Sequence, residues 1–207
     1  MKTLKESIQK LLVKEKGIVV FDIDNTLVHA DSSLIKIGKY IDGDKSNKIW
    51  ISSEEYAKDP DVTKHKDWFD FSEFRNPVKV VQSILSGVPI IKNLKILDAY
   101  INAGYEFCFL TARGCEDAVT YALNKILKYR DVDGVLKDIQ PKFNKKLSAA
   151  VNDTSKGYTG RNDPEKKANV LKKLCREFDK VVFVDDDKKN VEYAKSLQLK
   201  NLKVIHV

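Results

Sequence analysis

The sequence predicts an α/β protein: a central parallel sheet flanked by helices, with a small cap inserted after the first strand. Three observations predict it. Residues 18–21 (IVVF), 107–110 (FCFL) and 181–184 (VVFV) are short, continuous apolar runs, the pattern of strands buried on both faces. Amphipathic helical patterns separate the later runs, and such alternation implies parallel strands joined by right-handed crossovers. Between the first run and the next helical pattern lies a segment too long for an ordinary loop. The division expected is a core of residues 1–28 and 93–207 with a cap of residues 29–92.

With 207 residues and 43% hydrophobic composition, the chain can bury one α/β core plus an insertion but is short for two independent domains. No stretch reaches transmembrane length. The N-terminal MKTLKESIQKLLVKEKG is charged throughout and lacks an apolar signal core. The expectation is therefore a cytoplasmic protein with no membrane partner. This segment reads as an amphipathic helix with Leu4, Ile8, Leu11 and Leu12 on one face, Thr3 and Glu6 as a capping box, and Gly17 as its stop. Cys108, Cys115 and Cys175 have no metal-ligand spacing and read as reduced thiols. Cys108 falls within a core strand, and Cys115 falls at a helix start, where a thiol can be acidified. The net charge of +7 favours anionic partners. Lysine supplies nearly all of that charge, however, and a lysine-rich solvated surface accounts for it more simply.

Taken in order, residues 29–92 mix polar and apolar positions and carry an aromatic cluster, Trp68, Phe69, Phe71 and Phe74. Trp50, Trp68 and Phe71 either line a substrate pocket or form the cap's own core. Pro77 and Pro89 bracket a helix at 78–85. Asn93 reads as the cap of a helix through Leu94, Leu97, Tyr100 and Ile101 that Gly104 stops. A further helix carries Ala118, Ala122, Leu123, Ile126 and Leu127, and residues 134–139 can hold a short strand. Residues 140–162 are polar and irregular and read as a flap or functional loop. Asp163-Pro164 reads as N-cap and first helical position. In that helix Lys167, Leu171, Leu174 and Phe178 share a face, which places a lysine on the apolar stripe. A lysine there needs an anionic partner or must snorkel past the core edge. A helix at 188–197 and a strand at 202–207 close the chain.

The strand ends carry the chemistry. Asp22 and Asp24 follow the first run, Thr111 the second, and Asp185, Asp186 and Asp187 the third. In open parallel sheets, ligands bind beyond these carboxyl ends. Two carboxylates at one strand end need a shared proton, a basic side chain or a divalent cation; hard oxygen donors suit Mg²⁺. Alternatively, Asp22, Asp24 and Thr26 only cap a turn. Four carboxylates, a hydroxyl and Lys167 converging on one point suit a divalent metal together with an anion.

The strings FDIDNTLV, FCFLTARG, KKANVLKKL and FVDDDKKNV resemble, in this order, the four motifs of the haloacid dehalogenase (HAD) superfamily of phosphotransferases. The resemblance covers residues 17–28 and about 93–207; FSEFR at 71–75 and the overall layout are similar to bacteriophage-encoded members. It implies a HAD-like Rossmannoid core and a Mg²⁺-dependent phosphohydrolase working through an aspartyl-phosphate. Asp22 would be the nucleophile. Asp24 would be the general acid and base, kept protonated by a like-charged neighbour and partial burial. Thr111 and Lys167 would hold the phosphoryl oxygens, with Lys166 as the substitute for Lys167. Asp22, the carbonyl of Asp24, Asp185 and Asp186 would hold Mg²⁺. Position 25 is Asn where many members carry Gly, which alters the turn but not the chemistry. The substrate class implied is a nucleotide or other small phosphomonoester. The alternatives are a 3′-phosphatase acting on nucleic acid ends, disfavoured by the low Arg content, or a non-catalytic binding protein on the same fold. Arg113 reads equally as a substrate contact or a surface arginine, and His29 as a residue at the cap interface.

Overall fold

The computed structural model describes residues 15–31, 33–129 and 142–207. The helix and capping box expected ahead of Gly17 fall almost wholly outside these residues, as does the strand expected at 134–139. The centre is a five-stranded parallel sheet, order β10-β9-β1-β7-β8. Its strands are β1 (Gly17–Phe21), β7 (Glu106–Thr111), β8 (Ala149–Ala150), β9 (Lys180–Asp185) and β10 (Leu202–His206). β1 lies in the middle, paired with β7 through Phe21↔Phe109 and with β9 through Phe21↔Val184.

Strand alternation sorts the core into two layers. Val19, Phe21, Phe107 and Phe109 face one side, where they pack with Val80, Ile84, Leu97 and Leu123. Ile18, Val20, Cys108 and Leu110 face the other, with Leu171, Leu174 and Phe178. The first layer is covered by helices α2 (Pro77–Leu85), α3 (Ile91–Asn102) and α4 (Glu116–Tyr129). The second is covered by α5 (Asp163–Glu177) and α6 (Lys188–Ser196). Gly104, at φ 91°, takes the left-handed conformation that ends α3.

Between β1 and α2 the chain builds a small antiparallel sheet, β4-β3-β5, from β3 (Ile37–Tyr40), β4 (Lys48–Ile51) and β5 (Phe69–Asp70). The short helix α1 (Ser53–Lys58) accompanies it, opened by a capping box between Ser52 and Glu55. A second antiparallel pair, β2 (Val28–His29) with β6 (Val88–Pro89), ties both ends of the insertion together. Within this stretch α2 packs on α4, and its Val80 and Ile84 belong to the main core.

Three sequence expectations need correction. Asn93 does not cap α3: the N-cap is Ile90, and Asn93, buried in the first turn, donates from Nδ2 to the carbonyl of Thr26. The N-cap of α5 is Asn162, whose side chain accepts from Glu165 N–H, so Asp163 moves into the first turn. Within the polar stretch 140–162, residues 142–151 are built into the core, and residues 152–162 run as turns and loop over the surface. The first part supplies β8, which extends the sheet beside β7 through Leu110↔Ala149, and it buries Phe143, Ser148 and Val151.

Candidate metal and phosphate site

Register brings the strand ends together. Because Phe21 lies beside Val184, Asp22 lies level with Asp185, and Asp22 N–H donates to Val184 O at 2.9 Å. Thr111 ends β7 on the other side of β1, fully buried, its hydroxyl accepting from Arg113 N–H at 3.3 Å.

After Asp22 the chain turns sharply. Asn25 sits at φ 54°, in the left-handed region that Asn tolerates better than most side chains. Leu27 and Val28 N–H both return to Ile23 O, at 2.9 and 3.0 Å. The turn brings buried Thr26 against the end of β9. Its hydroxyl donates to Asp186 Oδ1 at 3.0 Å and accepts from Asp186 N–H at 3.1 Å. His29 is exposed and meets Asn25 Oδ1 through Nδ1 at 3.2 Å.

Lys167 enters from the first turns of α5. Its ammonium lies 2.8 Å from Asp22 Oδ1 and 2.8 Å from Asp185 Oδ2, and all three groups are buried. The lysine on the apolar stripe thus has its anionic partners and does not snorkel. Lys166, the substitute, points elsewhere, to Asn152 Oδ1. Asn190 braces Asp185 from α6 with Nδ2 at 3.1 and 3.2 Å, and Asp187 caps that helix. Burial pushes the Asp22 carboxyl up from 3.8 to about 7; the Lys167 charge opposes this, and the Asp185 charge adds to it. Burial likewise raises Asp186. For Lys167 burial acts downward, but the two carboxylates outweigh it and the ammonium is held well above its usual range.

Asp24 occupies a different environment from the one expected. Its neighbour is a cation: Arg113 Nε and Nη2 donate to its two carboxylate oxygens at 2.8 and 2.6 Å. Arg113 is buried and is held in turn by Ser83 of α2, which accepts from Nη1 at 2.8 Å. The sequence left Arg113 between a substrate contact and a surface arginine; it is buried, so the surface reading is set aside, and its pairing with Asp24 was not foreseen. The one available signal was its place two residues beyond Thr111, at a strand end facing the acids. Cys115 is a free thiol, and burial pushes it up rather than acidifying it.

Among the described residues, Asp22, Asp185 and Asp186 present carboxylate oxygens within 4.8 Å of one another. Against three carboxylates stands the single charge of Lys167, and a divalent cation matches the balance. The donors are all hard oxygens, and Thr26 and Lys167 fix their orientation, so the residues fit a hard divalent cation. The Asp24 side chain lies outside this cluster.

Beside Asp24 opens a cavity of about 470 Å³ between the insertion and the strand ends. Tyr56, Phe71 and Phe74 line it on the insertion side, and Ala112, Asn152 and Asp163 on the core side. Of the three aromatics raised from sequence, Phe71 lines this cavity. Trp68 stacks on His65 with centroids 4.1 Å apart, and Trp50 is surface-exposed beneath the Lys48 ammonium. Among the described residues no helix is long and apolar enough to cross a membrane.

No family model matches the chain, and no curated protein matches it. Among solved structures, a protein from Clostridium difficile described as a candidate phosphatase superposes with a TM-score of 0.45 at 21% identity, over 94% of this chain and 96% of that one.

Proposed function

We propose that this protein is a Mg²⁺-dependent phosphomonoesterase of the HAD type. The observation that carries the reading is the Lys167 ammonium held 2.8 Å from both Asp22 and Asp185, with Asp186 completing an acidic cluster at the ends of adjacent parallel strands. A carboxylate attacking a phosphate ester meets like-charge repulsion, and this arrangement surrounds one carboxylate with what offsets it.

Asp22, Asp185 and Asp186 would hold the metal together with the Asp24 carbonyl. The metal would supply positive charge to the phosphoryl oxygens and to the developing transition state. Asp22 attacks phosphorus, and the bond from phosphorus to the leaving oxygen breaks. Asp24 gives that oxygen a proton. In the second step water attacks the phosphorus of the aspartyl-phosphate, Asp24 takes the water's proton, and inorganic phosphate leaves with Asp22 restored. Thr111 and Lys167 orient the phosphoryl oxygens without and with charge, respectively. Arg113 touches Asp24 and acts through it as a positioning residue.

The test is calorimetric titration of Mg²⁺ into the protein together with hydrolysis of p-nitrophenyl phosphate. Stoichiometric binding and metal-dependent phosphate release are expected. Bound Mg²⁺ with no release from any phosphomonoester would favour the non-catalytic alternative.

A further inference from the structure

The cavity beside Asp24 has two unlike walls. On the insertion side, Tyr56 and Phe71 meet edge to face with centroids 5.3 Å apart, and Phe71 and Phe74 lie 6.2 Å apart at 57°. On the core side, Asn152 is fully committed: its Nδ2 donates to Ala112 O and to Asp163 Oδ1, and its Oδ1 accepts from Lys166. That network locks the Asp163 carboxylate in place with Oδ2 unpartnered among the described residues. At the cavity wall stands Arg75, exposed and without an ion pair among the described residues. Gly114 lets the two walls approach: a Cβ there would come within 3.1 Å of Arg75 Cγ and 3.3 Å of Phe74 O.

From these walls we propose that the cavity receives a nucleobase, so that the substrate is a nucleoside monophosphate whose phosphoryl group lies at Asp22 and whose amino-bearing base edge faces Asp163. This rests on the phosphomonoesterase reading above. The volume lies within the range of small-molecule sites, about 300–1,000 Å³. A planar heteroaromatic ring satisfies both walls: its face packs on Phe71 while the tilted Phe74 meets its edge, and its N–H donors reach a fixed acceptor. An aliphatic leaving group would cover the aromatics but strip water from Asp163 and Arg75 without replacing it. A sugar phosphate would cover less of the aromatic wall than a base does and would bring it no π face. An oligonucleotide end calls for a basic track along its backbone. Here Arg113 is committed to Asp24, which leaves Arg75 as the free cation among the lining residues.

The experiment compares kcat/KM with Mg²⁺ for adenosine 5′-monophosphate, ribose 5-phosphate, p-nitrophenyl phosphate and a 3′-phosphorylated oligonucleotide, in the wild type, Phe71→Ala and Asp163→Asn. Adenosine binding to all three proteins is measured in parallel. Adenosine monophosphate should exceed ribose 5-phosphate by at least about 10-fold, and Phe71→Ala should remove about 10-fold of that advantage. Asp163→Asn should weaken adenosine binding. Equal turnover of the nucleotide and ribose 5-phosphate, or preference for the oligonucleotide, overturns the proposal while the phosphatase reading stands. If no phosphomonoester is turned over, the phosphatase reading fails. Adenosine binding lost in Phe71→Ala then still supports the base site, and absence of binding overturns it.

Discussion

Arg113 grips both carboxylate oxygens of Asp24, at 2.6 and 2.8 Å, across 89 residues of sequence. The pair joins two parts of the protein. Arg113 stands beyond β7 and is anchored by Ser83 of α2, whereas Asp24 lies on the turn leaving β1. A bidentate contact fixes the plane of a carboxylate as well as its position. Arg113→Ala should therefore lower kcat by about 100-fold, the lower range of what acid–base groups contribute. Arg113→Lys, a point charge without the fork, should recover only part of it. Mg²⁺ affinity, measured by titration, should change little, because the metal cluster does not include the Asp24 side chain.

Metal binding should strengthen as pH rises through about 7. The metal-free native state keeps the Asp22 proton up to about that pH, whereas the unfolded chain loses it near 3.8. Between those values the unfolded state binds fewer protons, so the contribution of Asp22 to stability falls as pH rises and levels off above about 7. Asp186, also raised, acts in the same direction. Lys167, raised above its usual value, keeps its contribution until well into the alkaline range. The rise in melting temperature on adding Mg²⁺ should thus be small at pH 5 and large at pH 8. An equal rise at both would contradict the assignment.

Lys167→Met should cost about 3–5 kcal/mol in urea unfolding, because it leaves the buried Asp22 and Asp185 carboxylates without their cation. Mg²⁺ should restore part of that stability but not the activity.

Much of this arrangement was legible in the sequence. β1, β7 and β9 are continuous apolar runs, and their ends announce Asp22, Thr111 and Asp185; Lys167 betrayed itself as a charge on an apolar stripe. β8 was not legible because two alanines form no run, and it becomes a strand only by pairing with the end of β7. Asn93 has the chemistry of a cap, but tertiary packing uses its amide to hold the Thr26 carbonyl instead. Arg113 was obscured because its partner lies 89 residues away, a distance no local pattern spans.

The turn after β1 depends on Asn25 at φ 54°. Asn25→Ala should destabilise the protein by about 1 kcal/mol, since a β-carbon without a local hydrogen-bonding group disfavours this region. Asn25→Gly should be tolerated. Thermal unfolding of both variants checks this, and equal losses would mean that the contact with His29 matters more than the backbone.

Trapping the covalent intermediate tests the central claim most directly. Wild-type protein turning over a phosphomonoester with Mg²⁺, quenched in acid and peptide-mapped, should carry a hydroxylamine-sensitive phosphoryl group on Asp22, and Asp22→Asn should carry none and release no phosphate. Steady turnover with no label on Asp22, and undiminished in Asp22→Asn, would contradict the account.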